Sequence, residues 1–125
     1  MPLFNTARFG AQAISSGDTF TMFAAADTLV AGSLSPVFGV SNPGPLPRGI
    51  TTFTSVFATA PTAVVKLFGS NTPPTAAGPQ NGALLWTSTN TSPDSYTDNV
   101  GYAFYWAQLV SQSAGGGLTL VGHAN

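Results

Sequence analysis

The chain has 125 residues, of which 43% are hydrophobic and only 6% charged, against roughly 25% charged in an ordinary soluble domain. Arg8, Arg48, Lys66, Asp18, Asp27, Asp94 and Asp98 are all its ions, the formal net charge is -1, and cysteine and glutamate are absent. This excludes disulfides and thiolate metal sites, argues against the basic stripe that nucleic-acid binding needs, and leaves few of the groups that perform acid–base or nucleophilic chemistry.

Residues 1–18 show weak strand signals and read as an extended N-terminal arm, followed by a single domain over 19–125. The opening Met1-Pro2-Leu3-Phe4-Asn5-Thr6-Ala7-Arg8 lacks the basic-then-apolar pattern of a signal peptide. No apolar run approaches the roughly 20 residues of a membrane-spanning helix. Met22–Ala31 is the best helical stretch, but its threonine-rich and β-branched flanks disfavour helix.

Period-2 alternation between Gly/Pro-rich connections predicts strands over Thr19–Ala24, Val37–Val40, Ile50–Phe57, Ala63–Gly69, Ala83–Ser88, Tyr102–Val110 and Leu118–His123. Alternation pairs Leu84 with Trp86 on one face, and separates Phe104 and Trp106 from Tyr105. Several strands are apolar on both faces, as suits a sheet covered by its partner sheet and by a neighbouring subunit. Segments 41–49, 70–82 and 89–101 read as long loops, and Gly115-Gly116-Gly117 as a hairpin turn. The fold class is therefore all-β: one antiparallel β-sandwich, jelly-roll-like, with an immunoglobulin-like sandwich as the alternative.

Four constellations are candidates for chemistry. His123 is the one histidine, near the end of a terminal strand, without a G-x-S-x-G elbow to serve; it reads as a surface or interface group. Asp94-Ser95-Tyr96-Thr97-Asp98-Asn99 is dense in oxygen but lacks EF-hand spacing, so Ser92-Pro93-Asp94 and Asp98-Asn99 read as turns. Trp86, Tyr102, Phe104, Tyr105 and Trp106 are either a sugar platform or core anchors, with core favoured. Asn90-Thr91-Ser92 matches a glycosylation sequon and is followed by Pro93; it carries no weight here. No catalytic, cofactor-binding or metal site is expected, and no cofactor.

The spacing of Phe53-x-x-x-Phe57, Ala60-Pro61-Thr62-Ala63-Val64-Val65-Lys66-Leu67-Phe68-Gly69-Ser70-Asn71, Trp86 and Tyr105-Trp106-Ala107-Gln108-Leu109-Val110 is distinctive. It continues through Ser111-Gln112-Ser113-Ala114-Gly115-Gly116-Gly117 into the alternating Leu118-Thr119-Leu120-Val121. Over about residues 50–124 this resembles the small β-sandwich structural proteins of tailed bacteriophages, which serve as head decoration or cement proteins or as tail appendages. It departs from them in the long Thr72–Gly82 loop, and in Trp106-Ala107-Gln108 where members often carry an arginine. The resemblance implies a non-enzymatic virion protein, assembled in the host cytoplasm. Its expected partners are the major capsid protein and copies of itself, with neither nucleic acid nor membrane. Within the arm, Leu3, Phe4, Arg8, Phe9 and Ile14 are the expected assembly-interface residues, because apolar side chains on a free tail would be an exposed adhesive. A carbohydrate-binding or tail-appendage adhesion module is the alternative function.

Overall fold

The computed structural model describes residues 11–14, 17–24, 30–40, 51–57, 63–72, 82–89, 93–112 and 117–124. Among them the regular structure is all strand: β1 (Ala11–Ile14), β2 (Thr19–Phe23), β3 (Val37–Val40), β4 (Thr51–Phe57), β5 (Ala63–Ser70), β6 (Ala83–Thr87), β7 (Asp94–Asp98), β8 (Phe104–Gln112) and β9 (Leu118–Ala124). They form two sheets, ordered β1-β3-β8-β5-β6 and β2-β9-β4-β7.

The pairings β2·β9, β3·β8, β4·β7 and β5·β6 are nested and all antiparallel. The chain therefore runs as one long hairpin, β2–β5 out and β6–β9 back, rolled so that β4·β9 and β5·β8 complete the sheets. A jelly roll is wound in this way, and rolling leaves both sheets with an inner face to bury. The parallel β1·β3 pair is added at one edge, a departure from a wholly antiparallel sandwich.

The core follows from the alternation. Phe20 and Met22, Phe53, Val65 and Leu67, Tyr105, Ala107 and Leu109, and Leu118 and Leu120 all turn inward and are buried. Phe20 lies between Phe38 (ring centroids 4.7 Å apart) and Phe53 (6.0 Å, edge to face), tying the two sheets together. Gly122 of β9 makes room for this ring: a Cβ there would lie 2.3 Å from Phe20 Cζ. Full burial of aliphatic and aromatic side chains of this kind contributes roughly 1.5–3 kcal/mol each, before the entropy of ordering is subtracted.

Two buried serines act as backbone substitutes. Ser88 takes the Val65 N–H on its Oγ and gives its own N–H to the Val65 carbonyl, both at 2.9 Å. Ser35 does the same for Ala107, both at 2.8 Å. Each hydroxyl thus satisfies a strand N–H that would otherwise be buried without a partner.

Several expectations change. Asp94–Asp98 is a strand paired with β4, not a turn-rich loop, because its inward positions Asp94, Tyr96 and Asp98 are mostly polar and mask the alternation. A bulge between Leu67 and Phe68 in the β5·β6 ladder turns both Leu85 and Trp86 toward the core and leaves Leu84 outside, so Leu84 and Trp86 do not share a face. Met22 and Phe23 belong to β2, as the strand predicted over Thr19–Ala24 requires and against the helical propensity of Met22–Ala31. Residues 11–14 and 17–18 belong to the sandwich and not to an arm: Ala11–Ile14 pairs with β3, the Gly17 N–H bonds the Ala124 carbonyl, and the Asp18 carbonyl accepts from the Ala124 N–H; the rest of the expected arm, 1–10 and 15–16, lies outside the described residues.

Candidate functional site

Of the expected interface residues, Ile14 is buried in the core between the sheets, 4% exposed, and is not on offer to a neighbour. Leu3, Phe4, Arg8 and Phe9 lie outside the described residues.

The acidic segment separates into two carboxylates with different tasks. Asp94 Oδ2 accepts from the Thr89 N–H (2.8 Å) and hydroxyl (3.0 Å), while Oδ1 accepts from the Ser95 N–H (2.9 Å). The Thr89 backbone bond, with the smaller help of the Thr89 hydroxyl and Ser95 N–H, holds its carboxyl below the usual carboxylate range despite some desolvation. Asp98, 1% exposed at the other end of β7, turns inward. Its Oδ2 accepts from the Tyr105 hydroxyl at 2.5 Å and from the Gly101 N–H at 3.1 Å, and the Tyr102 N–H in turn donates to Tyr105 Oη at 3.1 Å. Gly101 has φ of 81°, which a glycine adopts without strain while aiming its N–H back at the carboxylate. Burial, then the hydrogen bond and charge of Asp98, push the Tyr105 phenol well above its ordinary value. Asp94 and Asp98 are thus engaged separately, and no group of three metal-ligating side chains occurs among the described residues.

His123 Nδ1 lies 2.8 Å from Thr19 Oγ1, a neighbour across the β2·β9 ladder, not a serine–aspartate pair. The aromatic candidates do not form a sugar platform. Trp86 stacks on Tyr96 across the mouth between the sheets (5.9 Å, 12°), and Trp106 stacks on Phe68 (5.9 Å, 15°). Trp106 is fully buried with Val37 and Phe68, a second small core on the outer side of the five-stranded sheet, with Phe104 packed beside it. Gly82 presses on the indole so closely that a Cβ there would lie 2.4 Å from Cη2. The expected neighbouring subunit is therefore not needed to cover this cluster, which is enclosed by the chain itself. Leu84 (52% exposed) and Val110 (41%) of the same sheet remain exposed.

The outer face of the four-stranded sheet is of another kind. Its registers align Thr19, His123, Thr52 and Thr97 in one row across β2, β9, β4 and β7, and Thr21, Val121, Thr54 and Ser95 in the next. Thr119 and Val56 extend the grid on the two central strands. None of these ten positions carries an ionic side chain. Alternation identified the separate strands of this face, but a row of side chains drawn from four distant segments exists only once the register is set.

Comparison of the chain with protein-family models, curated proteins and solved structures found no match.

Proposed function

We propose that this protein is a non-enzymatic structural subunit of a virion, a capsid decoration or cement protein of a tailed bacteriophage. In this reading it holds to the shell and to copies of itself by apolar and neutral polar contacts. The observation that carries the proposal is the chemistry of the two outer faces. Among the described residues they hold one ionic side chain, Lys66, because Asp94 and Asp98 both lie on the inward side of β7. Neutral faces of this kind are desolvated at low cost and leave no stranded ion when a neighbour covers them.

The shell-facing side is assigned to the five-stranded sheet. It carries the buried cluster of Val37, Phe68 and Trp106, and the exposed Leu84 and Val110 offer apolar surface that a neighbour would cover. The double-sheet jelly roll is an architecture that viral capsid and lectin domains both use. Mass spectrometry and imaging of purified particles test the proposal. It expects the protein on the capsid in many copies; particles that lack it overturn the reading, and a position confined to the tail replaces it with the appendage alternative.

A further inference from the structure

We propose that β1 is exchanged between copies of this chain, the slot beside β3 in one copy being filled by Ala11–Ile14 of another. The first argument is topological. The nested antiparallel pairs β2·β9, β3·β8, β4·β7 and β5·β6 complete the roll without β1. That strand is added at the edge of the five-stranded sheet through a single parallel ladder to β3. It can leave and return without breaking the hairpin that defines the fold. The slot it vacates consists of four ladder positions opposite Val37–Val40 and a space in the core shaped by Ile14. The β1 of a second copy has the same sequence and fills both identically, which is the condition for swapping an element between protomers.

The second argument is the length of the link. β1 lies in one sheet and β2 in the other, and Ser15 and Ser16 are the only residues between Ile14 and Gly17. Three Cα steps span at most about 11 Å, hardly more than the roughly 10 Å between packed sheets. The far end of the link is fixed, because the Gly17 N–H donates to the Ala124 carbonyl and the Asp18 carbonyl accepts from the Ala124 N–H. Pairing with its own β3 therefore leaves the chain little slack, and short hinges under strain invite exchange.

The third argument is Gly17 itself. Its φ of 91° lies in the left-handed region, and a Cβ there would meet nothing within 4 Å. Packing does not call for glycine at this position; the backbone of the closed arrangement does. An alanine there penalises the closed form and leaves the rest of the sandwich untouched.

The test uses the full chain, which has no cysteine of its own. Ala13 and Gly39 are register partners across the β1·β3 ladder, and neighbouring strands about 4.8 Å apart fall within the roughly 4.4–6.8 Å that a disulfide spans. Ala13→Cys and Gly39→Cys chains of different mass are unfolded together, refolded at a series of concentrations and oxidised. The expected product is a disulfide-linked heterodimer that increases with concentration and exceeds both homodimers, which form by chance collision. The double variant measures the balance, since its bond closes within one chain when β1 is at home and between chains when it is exchanged. Adding Gly17→Ala should raise the ratio of exchanged to closed chains by about fivefold or more, the penalty of a left-handed alanine. Thermal melts establish that the variants are folded. A heterodimer no more abundant than the homodimers overturns the proposal. So does a double variant whose bond stays within single chains at every concentration, with and without Gly17→Ala. The inference stands on the fold and not on the virion reading: absence of the protein from particles would leave this result untouched, so the two proposals fail separately.

Discussion

Tyr105 of β8 and Asp98 of β7 join the two sheets through a 2.5 Å hydrogen bond from the phenol to the carboxylate. Both residues are almost completely buried, and among the described residues Asp98 Oδ1 has no hydrogen-bond partner while Oδ2 takes its donors from Tyr105 and Gly101. Tyr105→Phe removes one of them while preserving the ring. It is expected to cost roughly 1–3 kcal/mol or somewhat more, as for a buried polar group left short of a partner. Asp98→Ala should cost a similar amount, and the double variant less than the sum, because each change removes the same bond. Denaturant titrations of the three variants measure this; strict additivity would show that the bond contributes nothing.

The same pair sets an alkaline limit. The Tyr105 phenol is held above the ordinary tyrosine value of about 10, chiefly by burial, then by the hydrogen bond and charge of Asp98. Its folded-state pKa exceeds the unfolded one, so its contribution is fully present below about pH 10 and is lost progressively as pH rises beyond that, where the unfolded chain releases the proton first. Melting temperature should accordingly fall more steeply above pH 10 in the parent than in Tyr105→Phe. Parallel curves for the two would refute the assignment.

Ser88→Ala and Ser35→Ala should each destabilise the fold by roughly 1–3 kcal/mol, since each strands a buried strand N–H, of Val65 or Ala107. Hydrogen exchange gives the local readout. Faster exchange is expected at Val65 in the first variant and at Ala107 in the second; unchanged protection would mean that another acceptor replaces the hydroxyl.

Gly122→Ala places a methyl against the Phe20 ring, which is itself held between Phe38 and Phe53. Overpacking of this kind costs typically 1–3 kcal/mol. The clash depends on the ring, so the same substitution made in a Phe20→Leu background should cost less. Equal cost in both backgrounds would place the strain elsewhere.

Truncation tests whether the N-terminal segment docks as proposed, separately from its role in the fold. Removing residues 1–10 should leave a folded sandwich with weakened attachment to particles. Removing 1–14 takes away β1 and buried Ile14, and should lower the melting temperature as well. Undiminished attachment after the shorter deletion would show that Leu3, Phe4, Arg8 and Phe9 do not dock.

Period-2 alternation was sufficient for the all-β class and for seven of the strands, because a strand with one buried face must repeat its apolar side chains at every second residue. It also paired Ala63, Val65 and Leu67, and Leu118 and Leu120, on common faces, which the structure turns inward. It could not reveal β7, whose inward Asp98 takes hydrogen bonds from Tyr105 and Gly101, brought to it from beyond the strand. Nor could it place Trp86, because a bulge shifts the faces of a strand without leaving a mark in its hydrophobic pattern. The apolar outer positions Val37, Phe68 and Trp106 suggested a neighbour's cover; the way Gly82 and the rest of the chain close over them was decided by tertiary packing alone. The ordered rows of hydroxyls belong to the same class of feature. Composition supplied threonine and withheld charge, but alignment across β2, β9, β4 and β7 comes from backbone ladders between segments up to about a hundred residues apart, a separation that local propensity does not encode.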